Sequence, residues 1–245
     1  MESNVVSFGL QYAGILIEAA LIVHLARSSQ WKRQRGVALY LTSLLVTELT
    51  RVSVWHKYGW NSQQYFYIYW STDFLLVTSA FFLVCLFFRR ACLHEEKMWR
   101  SIRLLLVLVL VLVVGISGLA FSRNYSRLFT YFIIEFNQNL YFTCLVLNTL
   151  LYLLLQHIRS TDDQLGLLVC GVGIQFAGPA ATLALFHLTA GEGFAKLLFH
   201  FAMPLCTPVM LLVWAYGIIH VKDKTIRVAR REIPVLAEVT ANLNV

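Results

Sequence analysis

Residues Leu104–Phe121 read LLLVLVLVLVVGISGLAF, eighteen residues without one ionisable side chain. As a helix rising 1.5 Å per residue this run covers about 27 Å, close to the hydrocarbon core of a bilayer. Six further apolar runs flank it: Val5–Ala26, Val37–Trp55, Tyr65–Phe88, Phe129–His157, Leu165–Leu188 and Phe194–Val221. The 245 residues are 58% hydrophobic and 13% charged, with a mean hydropathy of +0.67. Soluble domains carry about 25% charged residues. A water-soluble domain and a disordered chain are both excluded. The expected fold is all-α, a polytopic membrane protein with a seven-transmembrane-helix bundle over residues 1–221. A short cytoplasmic tail follows over 222–245.

Met1-Glu2-Ser3-Asn4 carries no basic residue and no small-residue cleavage site follows, so the first run is expected to remain as a membrane helix. Fifteen of the 20 Lys and Arg residues fall in the first, third and fifth connections and the tail. These include Arg27, Arg35, Arg89, Arg90, Lys97, Arg100, Arg103 and Arg159. The other connections hold four: Lys57, Arg123, Arg127 and Lys196. The positive-inside rule then places the N-terminus outside and the C-terminus inside, in the cell inner (plasma) membrane. Trp55, Trp60 and Trp70 mark one interface, and Trp31 and Trp99 the other. The net charge of +7 is a topology signal and a draw for anionic lipid headgroups, not a sign of nucleic acid. Cys85, Cys144, Cys170 and Cys206 lie in apolar runs and Cys92 in a basic connection, which argues against a structural disulfide.

The fourth run, lacking ionisable groups, is expected to face lipid. In the sixth, Gly171, Gln175, Gly178 and Thr182 share a stripe suited to close helix packing, with a kink at Gly178-Pro179. The seventh holds Pro204 and Pro208, with His200, Thr207 and Trp214 on one face. In the fifth, Glu135, Gln138, Thr149, Tyr152 and Gln156 form a polar stripe expected to point into the bundle.

Five charged residue types stand inside runs: Glu18, Glu48, Arg51, Asp73 and Glu135. Each costs about 2.5–3.5 kcal/mol at a bilayer centre, so partners are expected. Arg51, Asp73, Glu135 and His200 fall in the outer half and Glu48 near the middle, a candidate cluster opening outwards, with Tyr69 one turn before Asp73 at the mouth. Glu48 and Arg51, three apart, can touch. Two readings stay open for this cluster: an outward-facing ligand site, or a salt-bridge network that sets helix register. Glu18 stands apart, deeper, with Gln11 seven residues earlier on its face. It suits a helix–helix hydrogen bond or a proton relay.

No metal or haem site is expected, because no histidines pair at i, i+3 or i+4. His94-Glu95-Glu96 lacks the second His of a zinc-protease helix, and no phosphate loop or Gly-x-Ser-x-Gly elbow occurs. Lys196 lies at a run's end rather than within it, against retinal binding. No enzyme activity and no cofactor are expected.

The aromatic entry Tyr65-Phe66-Tyr67-Ile68-Tyr69-Trp70 before Asp73, the exit at Arg89-Arg90 and the seven-run plan resemble a family of bacterial seven-transmembrane-helix membrane proteins of uncharacterised function. The resemblance implies the architecture and no activity. The expected function is a receptor- or sensor-like membrane protein that signals to a separate protein partner in the membrane or cytoplasm. An accessory subunit of a larger complex and a small proton-coupled transporter are the alternatives.

Overall fold

The computed structural model describes residues 2–28, 34–59, 62–92, 96–123, 128–158, 162–188 and 205–220. They form an all-α protein of seven helices: α1 (Glu2–Arg27), α2 (Arg35–Tyr58), α3 (Gln63–Ala91), α4 (Glu96–Arg123), α5 (Leu128–His157), α6 (Asp163–Leu188) and α7 (Leu205–His220). Four are long and apolar enough to cross a membrane: α2, α3, α4 over Glu96–Gly118 and α5 over Phe136–His157. Asp163–Gly178 of α6 and Leu205–His220 are shorter apolar helical stretches. The chain is therefore a multi-pass membrane protein. The seventh expected span begins at 194; its residues 194–204, with His200 and Pro204, and the tail 222–245 lie outside the described residues.

Lys97, Arg100 and Arg103, expected in a connection, instead lie in the first turns of α4. The helix begins well before its apolar run because Lys and Arg are good helix formers, and polarity alone does not break a helix.

α3 is the centre. It packs on α2 and α5 and touches α4 and α6, while α1 packs on α2 and α4 on α5. Its buried side chains Leu76, Val77, Ala80, Phe81, Leu83, Val84, Phe87 and Phe88 fall on more than one face, as a helix surrounded by neighbours requires. In a membrane, helix association rests on close packing rather than on burial from water, so small residues mark the contacts. Gly36 of α2 faces Leu86 of α3, and Gly171 and Gly178 of α6 face Trp214 and Cys206 of α7. The glycine stripe of the sixth run is thus the seat of α7, and α6 runs on through Pro179 to Leu188. Trp214 is fully buried there; its Nε1 donates to the Leu168 carbonyl at 2.9 Å, and its ring meets Tyr40 of α2 edge-on. α4 lies at the edge, with Leu104 72% and Val111 65% exposed.

α5 corrects the sequence reading. Gln138, Thr149, Tyr152 and Gln156 are exposed, and the side chains of Glu135 and Thr182 lie outside the described residues. The face turned inward is Ile133, Phe136, Asn137, Leu140, Cys144, Leu147, Asn148, Leu151 and Leu155. That face is continuous and apolar, and packing it outweighs gathering a polar stripe. Two asparagines ride in with it. Asn148 Nδ2 donates to the Val169 carbonyl of α6 at 3.1 Å. We expect Asn148→Leu to lose about 1–3 kcal/mol through the lost hydrogen bond between α5 and α6 and overpacking near Gly173. Gln156→Leu should change stability by less than about 0.5 kcal/mol. Thermal unfolding of both variants in one detergent checks the contrast, and an equal loss in both would contradict the inward face.

Candidate functional site

The facing ends of α2 and α3 frame the site. α2 closes on Gly59, whose φ of +78° favours glycine and whose N–H donates to the Trp55 carbonyl. Ser62 caps α3, its hydroxyl accepting from Tyr65 N at 3.1 Å. α2 and α3 therefore descend side by side, with Arg51 level with Tyr69, Thr72 and Asp73.

Arg51 Nη2 lies 3.3 Å from Asp73 Oδ1, with both side chains 14% exposed. Its Nε donates to Thr72 Oγ1 at 3.0 Å and Nη2 also to the Tyr69 carbonyl at 3.3 Å. The guanidinium carbon sits 4.2 Å from the centre of the Tyr69 ring, in cation–π range. The other carboxylate oxygen, Asp73 Oδ2, accepts from Asn137 Nδ2 of α5 at 2.9 Å. One carboxylate thus joins α2, α3 and α5. Phe74 against Phe136 seals the α3–α5 contact below it, with ring centres 5.0 Å apart. Above it Tyr65, Tyr69 and Trp70 form an aromatic rim, and Tyr69 is partly exposed.

No family model, no curated protein and no solved structure matches the chain. The site must be read from its own chemistry.

Of the residues singled out in the sequence, the fold brings together Arg51, Asp73 and Tyr69. Glu48 does not pair with Arg51: its Oε2 accepts from Gln11 Nε2 of α1 at 2.8 Å. Arg51 has turned towards α3, where a carboxylate, a hydroxyl and a carbonyl converge on its fork. Glu48 stays near enough to act electrostatically on Tyr65 and Tyr69. His200 and the Glu135 side chain lie outside the described residues. Glu18 is 1% exposed, and among the described residues its Oε2 has no hydrogen-bond partner. Among the described residues no group of three His, Cys, Asp or Glu side chains gathers as for a metal.

Sequence reasoning missed Asn137 and Thr72, because a neutral side chain carries no charge signal. Only Asn137's place one helical position from Phe136 on the packing face could have pointed to it. It also missed the second ion pair, at the opposite end of the bundle. Arg90 Nη2 lies 2.7 Å from Asp162 Oδ2 and 3.3 Å from Gln164 Oε1. Asp162 caps α6 by accepting from Leu165 N, and Gln164 Nε2 reaches the Gly217 carbonyl of α7. The sign in the sequence was an Asp one residue ahead of a helix start. This second network holds α3, α6 and α7 and has the makeup of a structural clasp.

Two polar atoms at the first site remain open. Among the described residues, Asn137 Oδ1 is buried without a partner and Arg51 Nη1 makes no hydrogen bond. An acceptor such as a carboxylate could take the free Arg51 donor beneath the Tyr69 ring. A hydroxyl or amine could donate to Asn137.

Proposed function

We propose that the chain is a seven-span bundle, N-terminus out and C-terminus in, in the inner (plasma) membrane, and that it works as a receptor- or sensor-like protein. The observation that carries this reading is the shared Asp73 carboxylate, held by Arg51 on one side and Asn137 on the other. A small carboxylate-bearing ligand entering past Tyr69 competes with Asp73 for Arg51. Releasing Asp73 loosens α2 from α3 while Asn137 keeps its hold, and two arrangements of the same helices become available. The basic residues at the opposite end, Arg89, Lys97, Arg100 and Arg103, lie where anionic headgroups and a cytoplasmic protein partner would meet the moving helices.

A thermal-shift screen of the purified protein in nanodiscs against small mono- and dicarboxylates, amino acids included, tests the reading. A ligand at a hundredfold excess over its Kd adds about 2.7 kcal/mol to the folded state. We expect at least one such compound to raise the Tm of the wild type and to fail with Arg51→Lys, whose point charge cannot reproduce the fork. A screen in which none shifts the wild type, or in which Arg51→Lys responds equally, defeats the proposal. Co-purification of a stoichiometric membrane subunit in place of ligand binding would favour the accessory-subunit reading.

A further inference from the structure

The second carboxylate pair of the interior lies between α1 and α2, away from the Arg51 fork. α1 turns one stripe towards α2: Gln11, Gly14, Glu18, Leu21 and Leu25 recur at three- and four-residue steps. Leu21, Leu25 and Glu18 on it are almost wholly buried. Its upper end is anchored by the 2.8 Å bond from Gln11 to Glu48. Two turns deeper, Glu18 makes no hydrogen bond among the described residues. Between them stands Gly14, itself buried, where an added Cβ would meet nothing within 4 Å. An unfilled position therefore lies on α1 between Gln11, which holds Glu48, and Glu18.

Helical side chains lean towards their own N-terminus, and α1 and α2 run in opposite directions. That tendency carries Glu18 towards the turn of Gly14, while Glu48 is held one turn further along α1, at Gln11. The titratable groups facing Glu18 from α2 are Glu48 and Tyr40. Neither brings a positive charge, and Arg51 is turned to Asp73, Thr72 and Tyr69. A buried carboxylate with no cation and no donor is among the costliest groups a fold can hold. Something of positive charge must come to it, and the unfilled position at Gly14 leaves room for water.

We propose that Glu18 and Glu48 form a proton-binding site between α1 and α2: Glu48 takes protons at the half-buried rim, and Glu18 holds one inside. The transfer runs through water in the Gly14 space. An O–H bond to water breaks as one to Glu18 Oε2 forms, the water regains a proton from the Glu48 carboxyl, and nothing is oxidised or reduced. This site stands independently of the ligand reading at Arg51 and would serve a proton-coupled carrier or a pH-responsive receptor alike.

Infrared spectroscopy of the protein in lipid, with its glutamates carbon-13 labelled, reads the proton directly. The expected result is an isotope-shifted protonated-carboxyl band that falls away as pH rises and is missing in Glu18→Gln. Gly14→Leu fills the space and should slow deuterium exchange of that band by about tenfold or more. The wild-type band and its exchange rate remain decisive even if Glu18→Gln fails to fold. Absence of a glutamic-acid band in the wild type at every pH overturns the proposal, as does a band that survives in a folded Glu18→Gln. Stabilisation by sodium chloride over choline chloride that depends on Glu18, with no carboxyl band, would also overturn it, in favour of a sodium site.

Discussion

Arg51→Ala lowers the stability of the bundle by about 3–5 kcal/mol, the usual cost of removing one partner from a buried ion pair. The cause is the stranded Asp73. Its side chain is 14% exposed, and with Arg51 gone only Asn137 remains to it. Thr72 and the Tyr69 carbonyl lose a donor as well. A total stability of about 5–15 kcal/mol leaves little margin for that loss. The expected observation is a sharp fall in monodisperse protein on size exclusion and a lower unfolding midpoint. Arg51→Leu combined with Asp73→Leu should recover much of both, because an apolar pair of similar volume removes the unpaired charge. If Arg51→Ala stays folded and monodisperse, the network does not hold the helices together, and only the ligand role of the fork survives.

Gly171→Val unseats α7. A Cβ at Gly171 would stand 2.6 Å from both Cδ1 and Nε1 of Trp214 and 3.4 Å from Met210 Cγ. Trp214 and Met210 are both wholly buried, so neither ring nor chain has somewhere to go without moving the helix. Overpacking costs about 1–3 kcal/mol, and the Trp214 bond to Leu168 is lost in addition. Gly171→Ala should show the lower part of that range and Gly171→Val the upper part or beyond. The check is a paired measurement with Gly115→Val on α4, where an added Cβ meets nothing within 4 Å. Equal losses at the two glycines would show that the α6–α7 contact is not what the substitution breaks.

Much of the architecture was legible in the sequence because length and apolarity act locally. Leu104–Phe121 has no alternative to a lipid-like environment, and α4 is the most exposed of the long helices, as its composition implied. Helix ends were less legible. Lys97 and Arg103 read as connection but continue α4, since helical propensity does not follow hydropathy. At the candidate site, Arg51, Asp73 and Tyr69 were recognisable from residue type and depth, whereas Glu48, within reach of Arg51, bonds Gln11 of α1 instead. A three-residue spacing allows Glu48 and Arg51 to touch; it does not oblige them to, and better acceptors waited on α3.

The sequence by itself determined that the chain is helical, that it lives in a membrane, and that a few charged groups must find partners there. Those conclusions follow from one-dimensional quantities: run length, hydropathy and the cost of a charge in hydrocarbon. Tertiary structure alone decided which partner each group found. Periodicity names the faces of a helix without saying which neighbour each face meets. The α5 stripe was thus a sound pattern that turned outward, and Asn137, silent in the sequence, became the third member of the Arg51–Asp73 site. It decided too that Gln11 of α1 reaches Glu48 of α2, and that Glu18 is buried on a helix packed against α2, because only the pairing of two helices brings those groups together.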